Sequence, residues 1–167
     1  MANPMTNEVQ ALRQAMLNEI EGAEFYRLAA DKFAPSSTKD AFIELAAQEE
    51  AHAEYLKDLS EKLMGSTEID FDVEALKNEV PSPGIFNWDR VDEDMVRLAV
   101  TVFSVGMNME KDSIAFYEEA KANSKSEKAN QLFDILIKWE GAHLHELKKQ
   151  YDIYQQEWWN LQNFAPY

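Results

Sequence analysis

One arrangement of residues occurs twice in this chain, 91 residues apart, and it restricts the fold more than any other feature. Glu19, Tyr26, Glu49 and His52 return as Glu110, Tyr117, Glu140 and His143. Each copy is Glu-x6-Tyr followed by Glu-x2-His. The same offset aligns Phe25 with Phe116, Ala29 with Ala120, Phe42 with Phe133, Leu45 with Leu136, Ala51 with Ala142 and Leu56 with Leu147, without a gap. A chain built this way has two matching halves, and its fold must bring the matching residues into equivalent surroundings.

Intervals of three, four and seven residues keep side chains on one face of a helix. Clusters of proline, glycine and serine divide the sequence into four such helical segments. The first is expected from about Asn7 to Phe33, opened by an Asn7/Gln10 capping pair and closed before Pro35-Ser36-Ser37. The second runs from near Ser37 to near Gly65. The third follows Asp92, a suitable N-cap, and continues to about Ala122. The fourth opens on a Ser124/Glu127 capping pair and continues at least to Tyr151. The expected fold is all-α, a single domain over residues 1–167. Hairpin 1 occupies 7–64, a long crossover 65–91, hairpin 2 residues 92–152 and an aromatic C-terminal tail 153–167. Short turns make antiparallel hairpins, while a helix of about 27 residues is about 40 Å long, a distance that a partly extended crossover can retrace. The second and third helices can therefore run parallel. Within the crossover, Asp72 to Asn78 suits a short helix, Pro81-Ser82-Pro83-Gly84 a turn, and Phe86 and Trp88 anchor the segment to the bundle.

The apolar stripe of each helix carries one acid near its middle. Helix one gives Val9, Leu12, Met16, Glu19, Ala23, Tyr26, Ala30 and Phe33; helix two gives Phe42, Leu45, Glu49, His52, Leu56, Leu59 and Leu63. Helix three gives Val96, Phe103, Met107, Glu110, Ile114 and Tyr117; helix four gives Phe133, Leu136, Glu140, His143 and Leu147. In an antiparallel hairpin, residues equally distant from the turn lie at one height. The midpoint of Glu19 and Glu49 is position 34, beside Pro35, and that of Glu110 and Glu140 is Lys125, inside the polar break at 123–126. The carboxylates are level across both hairpins, and the i, i+3 spacing puts each histidine beside its glutamate.

Four carboxylates meeting in an apolar interior repel one another, and each costs several kcal/mol to desolvate unless protonated or neutralised. Two divalent cations balance all four. Two imidazoles complete an oxygen and nitrogen ligand set suited to iron or manganese, with zinc also compatible. The chain has no cysteine, which excludes a thiolate nucleophile, an iron–sulfur cluster, Cys-ligated zinc and a rubredoxin-type centre within it. A formal charge of −15 repels nucleic-acid phosphates and anionic membranes and draws cations, so neither nucleic acid nor membrane is an expected partner. The most apolar stretch, Leu98 to Met107, is broken by Thr101 and Ser104 and is too short to span a bilayer. The first residues lack the basic-then-apolar layout of a secretory signal, and the expected location is the cytoplasm.

This pattern resembles the ferritin-like di-iron carboxylate proteins, in which two helices each supply one Glu and two others each supply Glu-x-x-His. Within that superfamily Glu19-Ile20-Glu21-Gly22-Ala23-Glu24-Phe25-Tyr26 and Gln48-Glu49-Glu50-Ala51-His52-Ala53 are similar to the first-helix and second-helix motifs of the rubrerythrin group. The resemblance implies a ferritin-like four-helix bundle holding two iron ions. It makes Glu19 and Glu110 terminal ligands, Glu49 and Glu140 bridging ligands, His52 and His143 one nitrogen ligand per metal, and Tyr26 and Tyr117 hydrogen-bond donors beside the site. It further implies an oxidoreductase of peroxidase or ferroxidase type that consumes hydrogen peroxide or oxygen in oxidative stress, with ferritin-like iron oxidation, storage or delivery as the alternative. A homodimer is compatible with it.

Two departures bear on the activity. Prototype rubrerythrins carry a C-terminal rubredoxin domain with four cysteines, so this cysteine-free chain is expected to draw electrons from an external donor protein. Prototypes also carry a further carboxylate one turn after the third-helix Glu, where this chain has Ser113, with neighbouring Asp112 a candidate for no more than a partial substitute. His145, Glu21, Glu24, Glu50, Glu118 and Glu119 are expected on solvated faces. Trp139, Trp158 and Trp159 are expected to pack rather than to conduct electrons.

Overall fold

The computed structural model describes residues 4–64, 77–78, 81–86 and 98–161. Four helices account for nearly all of them: α1 (Pro4–Asp31), α2 (Ser37–Met64), α3 (Leu98–Asn123) and α4 (Glu127–Leu161). No strand occurs among the described residues. Helices α1 and α2 pack as one hairpin and α3 and α4 as the other, with α2 against α4 and α1 against α3, an all-α four-helix bundle.

The helix ends follow local chemistry. Pro4 opens α1, a position where a missing N–H costs nothing, so Asn7 lies inside the helix and is not its cap. At the other end, Lys32 N–H donates to the Ala29 carbonyl at 3.1 Å and Phe33 N–H to that of Ala30 at 3.2 Å. These tightened turns end the α-helix two residues before the expected Phe33. Ser36 caps α2, its Oγ accepting from Lys39 N–H at 3.2 Å. Ser126, not the expected Ser124, caps α4, with Oγ accepting from Ala129 N–H at 3.2 Å. Helix α4 continues to Leu161, so much of the segment expected as a tail is helical.

Two apolar clusters divide the interior. One joins the start of α1, the end of α2, the end of α3 and the start of α4 through Leu12, Met16, Leu56, Tyr117, Phe133 and Leu136. The other joins the opposite ends through Tyr26, Ala30, Phe42, Leu45, Phe103 and Leu147. The starts of α2 and α3 meet where Phe42 stacks on Phe103 at 4.8 Å, so these helices run parallel, as the long crossover permits. In α3 the buried face carries Val102, Phe103, Met109, Glu110, Ser113 and Tyr117, whereas Met107 and Ile114 are only partly buried. The stripe is therefore shifted from the expected one around the same central acid.

The crossover segment 81–86 lies against α1. Gln14 Nε2 donates to the Pro81 carbonyl at 3.3 Å, Ser82 Oγ donates to Glu21 at 2.9 Å, and Gly84 has φ 67°, a conformation glycine adopts without strain; residues 81–85 are irregular and do not form the expected turn. Glu21 is thus half-buried beneath the crossover and not on a solvated face; burial raises its carboxyl above the usual range, opposed by the Ser82 hydrogen bond. Phe86 is buried against Phe25 and Tyr26, with ring centroids 6.2 and 6.0 Å away, as expected of an anchor. Of the short helix expected at 72–78 only Lys77 and Asn78 are described, both helical; Trp88, Asp92 and Val96 lie outside the described residues.

Candidate metal centre

Between the two apolar clusters the four mid-stripe acids meet. Glu19, Glu49, Glu110 and Glu140 are all at most 1 % exposed, and the His143 side chain is 3 % and that of His52 15 % exposed. Glu49, His52, Glu140 and His143 offer donor atoms all within 4.8 Å of one another. His52 Nδ1 lies 3.3 Å from Glu19 Oε2 and 3.5 Å from Glu49 Oε2. His143 Nδ1 lies 3.2 Å from Glu49 Oε1, 3.6 Å from Glu110 Oε1 and 3.9 Å from Glu140 Oε1. Glu49 therefore turns one oxygen to each imidazole.

Hydrogen bonding separates the acids into two kinds. The Tyr117 hydroxyl donates to Glu19 Oε1 and the Tyr26 hydroxyl to Glu110 Oε1, each at 2.5 Å. Each phenol thus holds the acid of the opposite hairpin. Burial, with the adjacent Glu110 for Tyr26 and Glu19 for Tyr117, keeps both phenols protonated far above their ordinary range. Glu19 and Glu110 are left with one unpaired oxygen each, Oε2, whereas Glu49 and Glu140 have both oxygens buried and without a hydrogen bond. The Nδ1 atoms of His52 and His143 face these carboxylates but, like His143 Nε2, make no hydrogen bond.

So many orphaned polar atoms in a dry interior are costly, since each forfeits its hydration without compensation. Without a cation the cluster responds by holding protons. Burial, together with Glu19 nearby, pushes Glu49 up to about 8. Burial and the charges of Glu19, Glu110 and Glu49 drive Glu140 well above the carboxylate range. For His143, burial opposes the charge, but Glu110 and Glu49 outweigh it and raise the imidazole to about 10. His52 is raised too, with Glu19 and Glu49 overcoming its partial burial. Oxygen and nitrogen donors, unpaired and converging, are the ligand chemistry of a di-metal site, and the residues present fit one.

Several surrounding residues escape a reading of the sequence alone. Asn18, fully buried, donates from Nδ2 to Ser113 Oγ and to the Tyr117 hydroxyl, both at 3.0 Å, and so fixes the phenol that holds Glu19. Ser113 faces the interior and Asp112 is exposed, so Asp112 is no substitute for a carboxylate at that place. Gly22, which the 91-residue offset pairs with Ser113, lies so close to the site that a Cβ there would sit 3.2 Å from Glu49 Oε1 and 3.3 Å from the Phe86 ring. The signal for these positions is where the repeat fails: Asn18 against Met109, and Gly22 against Ser113. His145, Glu24, Glu50, Glu118 and Glu119 are exposed, as expected. No described helix is long and apolar enough to cross a membrane.

Comparison with known proteins agrees with this arrangement. A hypothetical protein from Pyrococcus furiosus shares the fold, with a TM-score of 0.63 over 89 % of this chain and 90 % of that one at 22 % identity. No curated protein matches the sequence. The sequence profile of the rubrerythrin family matches residues 10–151, a span that covers most of both hairpins and all six site residues, and the chain belongs to the rubrerythrin family.

Proposed function

We propose that the protein is a di-iron oxidoreductase that reduces hydrogen peroxide or oxygen with electrons from an external donor. The observation that carries this reading is the distribution of buried atoms without a hydrogen bond: one oxygen on Glu19 and on Glu110, two on Glu49 and on Glu140, and Nδ1 on each histidine. Glu19 with His52 and Glu110 with His143 suit one terminal pair per ion, and Glu49 and Glu140 suit the shared, bridging positions. A pair of iron ions held there supplies two electrons, one per ion, the number needed to reduce one peroxide. Four carboxylates match the charge of two divalent ions, so the site buries no net charge when loaded.

The chain's own part is to hold this set rigid. Tyr26 and Tyr117 keep their protons and pin the terminal carboxylates in one orientation, Asn18 fixes Tyr117, and Gly22, without a Cβ, leaves room for the Glu49 carboxylate. Anaerobic loading with ferrous iron, followed by stopped-flow mixing with peroxide or with oxygen, tests the proposal. Oxidation faster with peroxide is expected. Equal rates would remove the peroxidase reading, tight zinc with no ferrous oxidation would remove redox function altogether, and iron retained far beyond two ions per chain in a hollow assembly would point to storage.

A further inference from the structure

The repeat supplies an internal control for which features serve both halves of the centre and which serve one. Trp139 lies face to face on the His52 imidazole, with centroids 4.4 Å and planes 10° apart, and His52 in turn stacks on His143 at 4.7 Å and 19°. Tyr55, one turn beyond His52 on α2 and half-exposed, meets the same indole edge-on at 5.2 Å. Continuous π-contact therefore runs from the surface to both imidazoles. The offset of 91 residues places Gln48 opposite Trp139 and Glu146 opposite Tyr55. The repeat thus offers His143 no aromatic equivalent of Trp139, although His143 is the more deeply buried of the two imidazoles. The stack also sits where the centre comes nearest to solvent, since the His52 side chain is 15 % exposed and that of His143 3 %.

We propose that Tyr55 and Trp139 form the route by which electrons from an external one-electron donor enter the metal centre, on the His52 side only. The proposal rests on the redox reading above, and it replaces the expectation that Trp139 merely packs. In each event the donor loses one electron and a ferric ion held at the site becomes ferrous. No bond forms or breaks, and two events restore both ions. The phenol and indole lend their π-orbitals as a bridge and are themselves neither oxidised nor reduced. The His52 to His143 stack and the shared Glu49 connect the second half of the site.

The test uses iron-loaded, oxidised protein mixed anaerobically with the methyl viologen radical cation, which gives one electron per molecule. Trp139→Leu should retain two irons per chain, be reduced about tenfold or more slowly, and be reoxidised by peroxide at the unaltered rate. Trp139→Phe, which keeps a ring in the stack, and Tyr55→Leu should be slowed less. Glu146→Leu, at the position paired with Tyr55, should match the parent. A second readout needs no turnover: cobalt(II) binding should quench an emission component that Trp139→Phe lacks. A two-iron Trp139→Leu protein reduced at the parent rate, or an unquenched Trp139, overturns the route. Should Trp139→Leu lose its iron, unchanged reduction of both Trp139→Phe and Tyr55→Leu overturns it equally. A parent protein that never oxidises ferrous iron fails the redox reading instead, a separate result.

Discussion

Glu49 and Glu19 are alike in type and burial, yet they differ in what their oxygens already hold. Glu19 gives Oε1 to Tyr117, while neither oxygen of Glu49 has a hydrogen-bond partner. Removing them should therefore have unequal effects. Glu49→Ala is expected to lower occupancy at both metal positions, whereas Glu19→Ala should empty mainly the one beside His52; metal analysis with calorimetric titration distinguishes the two. A Glu49→Ala protein that still holds two ions at full occupancy would contradict the bridging role. The acids and histidines were legible in the sequence because helical spacing is a local property. The tyrosines were expected as hydrogen-bond donors beside the site, and they are, but which acid each one serves was not legible. Tyr26 lies two turns from Glu19 on the same helix but donates to Glu110, a partner 84 positions away that only the packing of α1 on α3 brings near.

At the scale of the helices, the midpoint of each pair of acids located the turns, and the turns lie there. The cap of α4 was misplaced by two residues because its environment comes from far away in sequence. Glu8, near the start of α1, accepts from Ser124 Oγ at 2.9 Å, Lys125 N–H at 2.6 Å and Ser126 N–H at 2.7 Å. Ser124 is occupied with that contact, and Ser126 takes the capping position. A carboxylate bound to free N–H groups at the head of a helix also complements its dipole. Glu8→Ala is expected to destabilise the protein by about 1–2 kcal/mol, seen as a lower urea midpoint, with metal content unaltered. An unchanged midpoint would show that the contact contributes nothing net. This single residue joins the first helix to the second hairpin's turn, a tie that no periodicity announces.

For the molecule as a whole, the buried acids make stability depend on pH in a direction opposite to that of ordinary salt-bridged proteins. In the metal-free protein Glu49 titrates near 8 against 4.5 for an unperturbed group, so between those values the folded chain keeps a proton that the unfolded chain has released. His143, held near 10 against 6.5, acts in the same sense at higher pH. The stabilisation is complete below the unfolded values and disappears as pH rises through the folded ones. The melting temperature of the metal-free protein should consequently fall from about pH 5 to about pH 8, while that of the iron-loaded protein should hold or rise, because the metal displaces those protons. Calorimetry of both forms across that range checks the sign, and a metal-free protein that gains stability with pH would refute it. Glu49 carries one further consequence. It belongs to one hairpin and presents Oε1 to His143 of the other. An ion shared at that carboxylate would fasten the halves together, and the bundle could not breathe open along their seam without first letting the ion go. Slow amide exchange in all four helices and slow loss of metal to a chelator would then become one clock, measuring the same event.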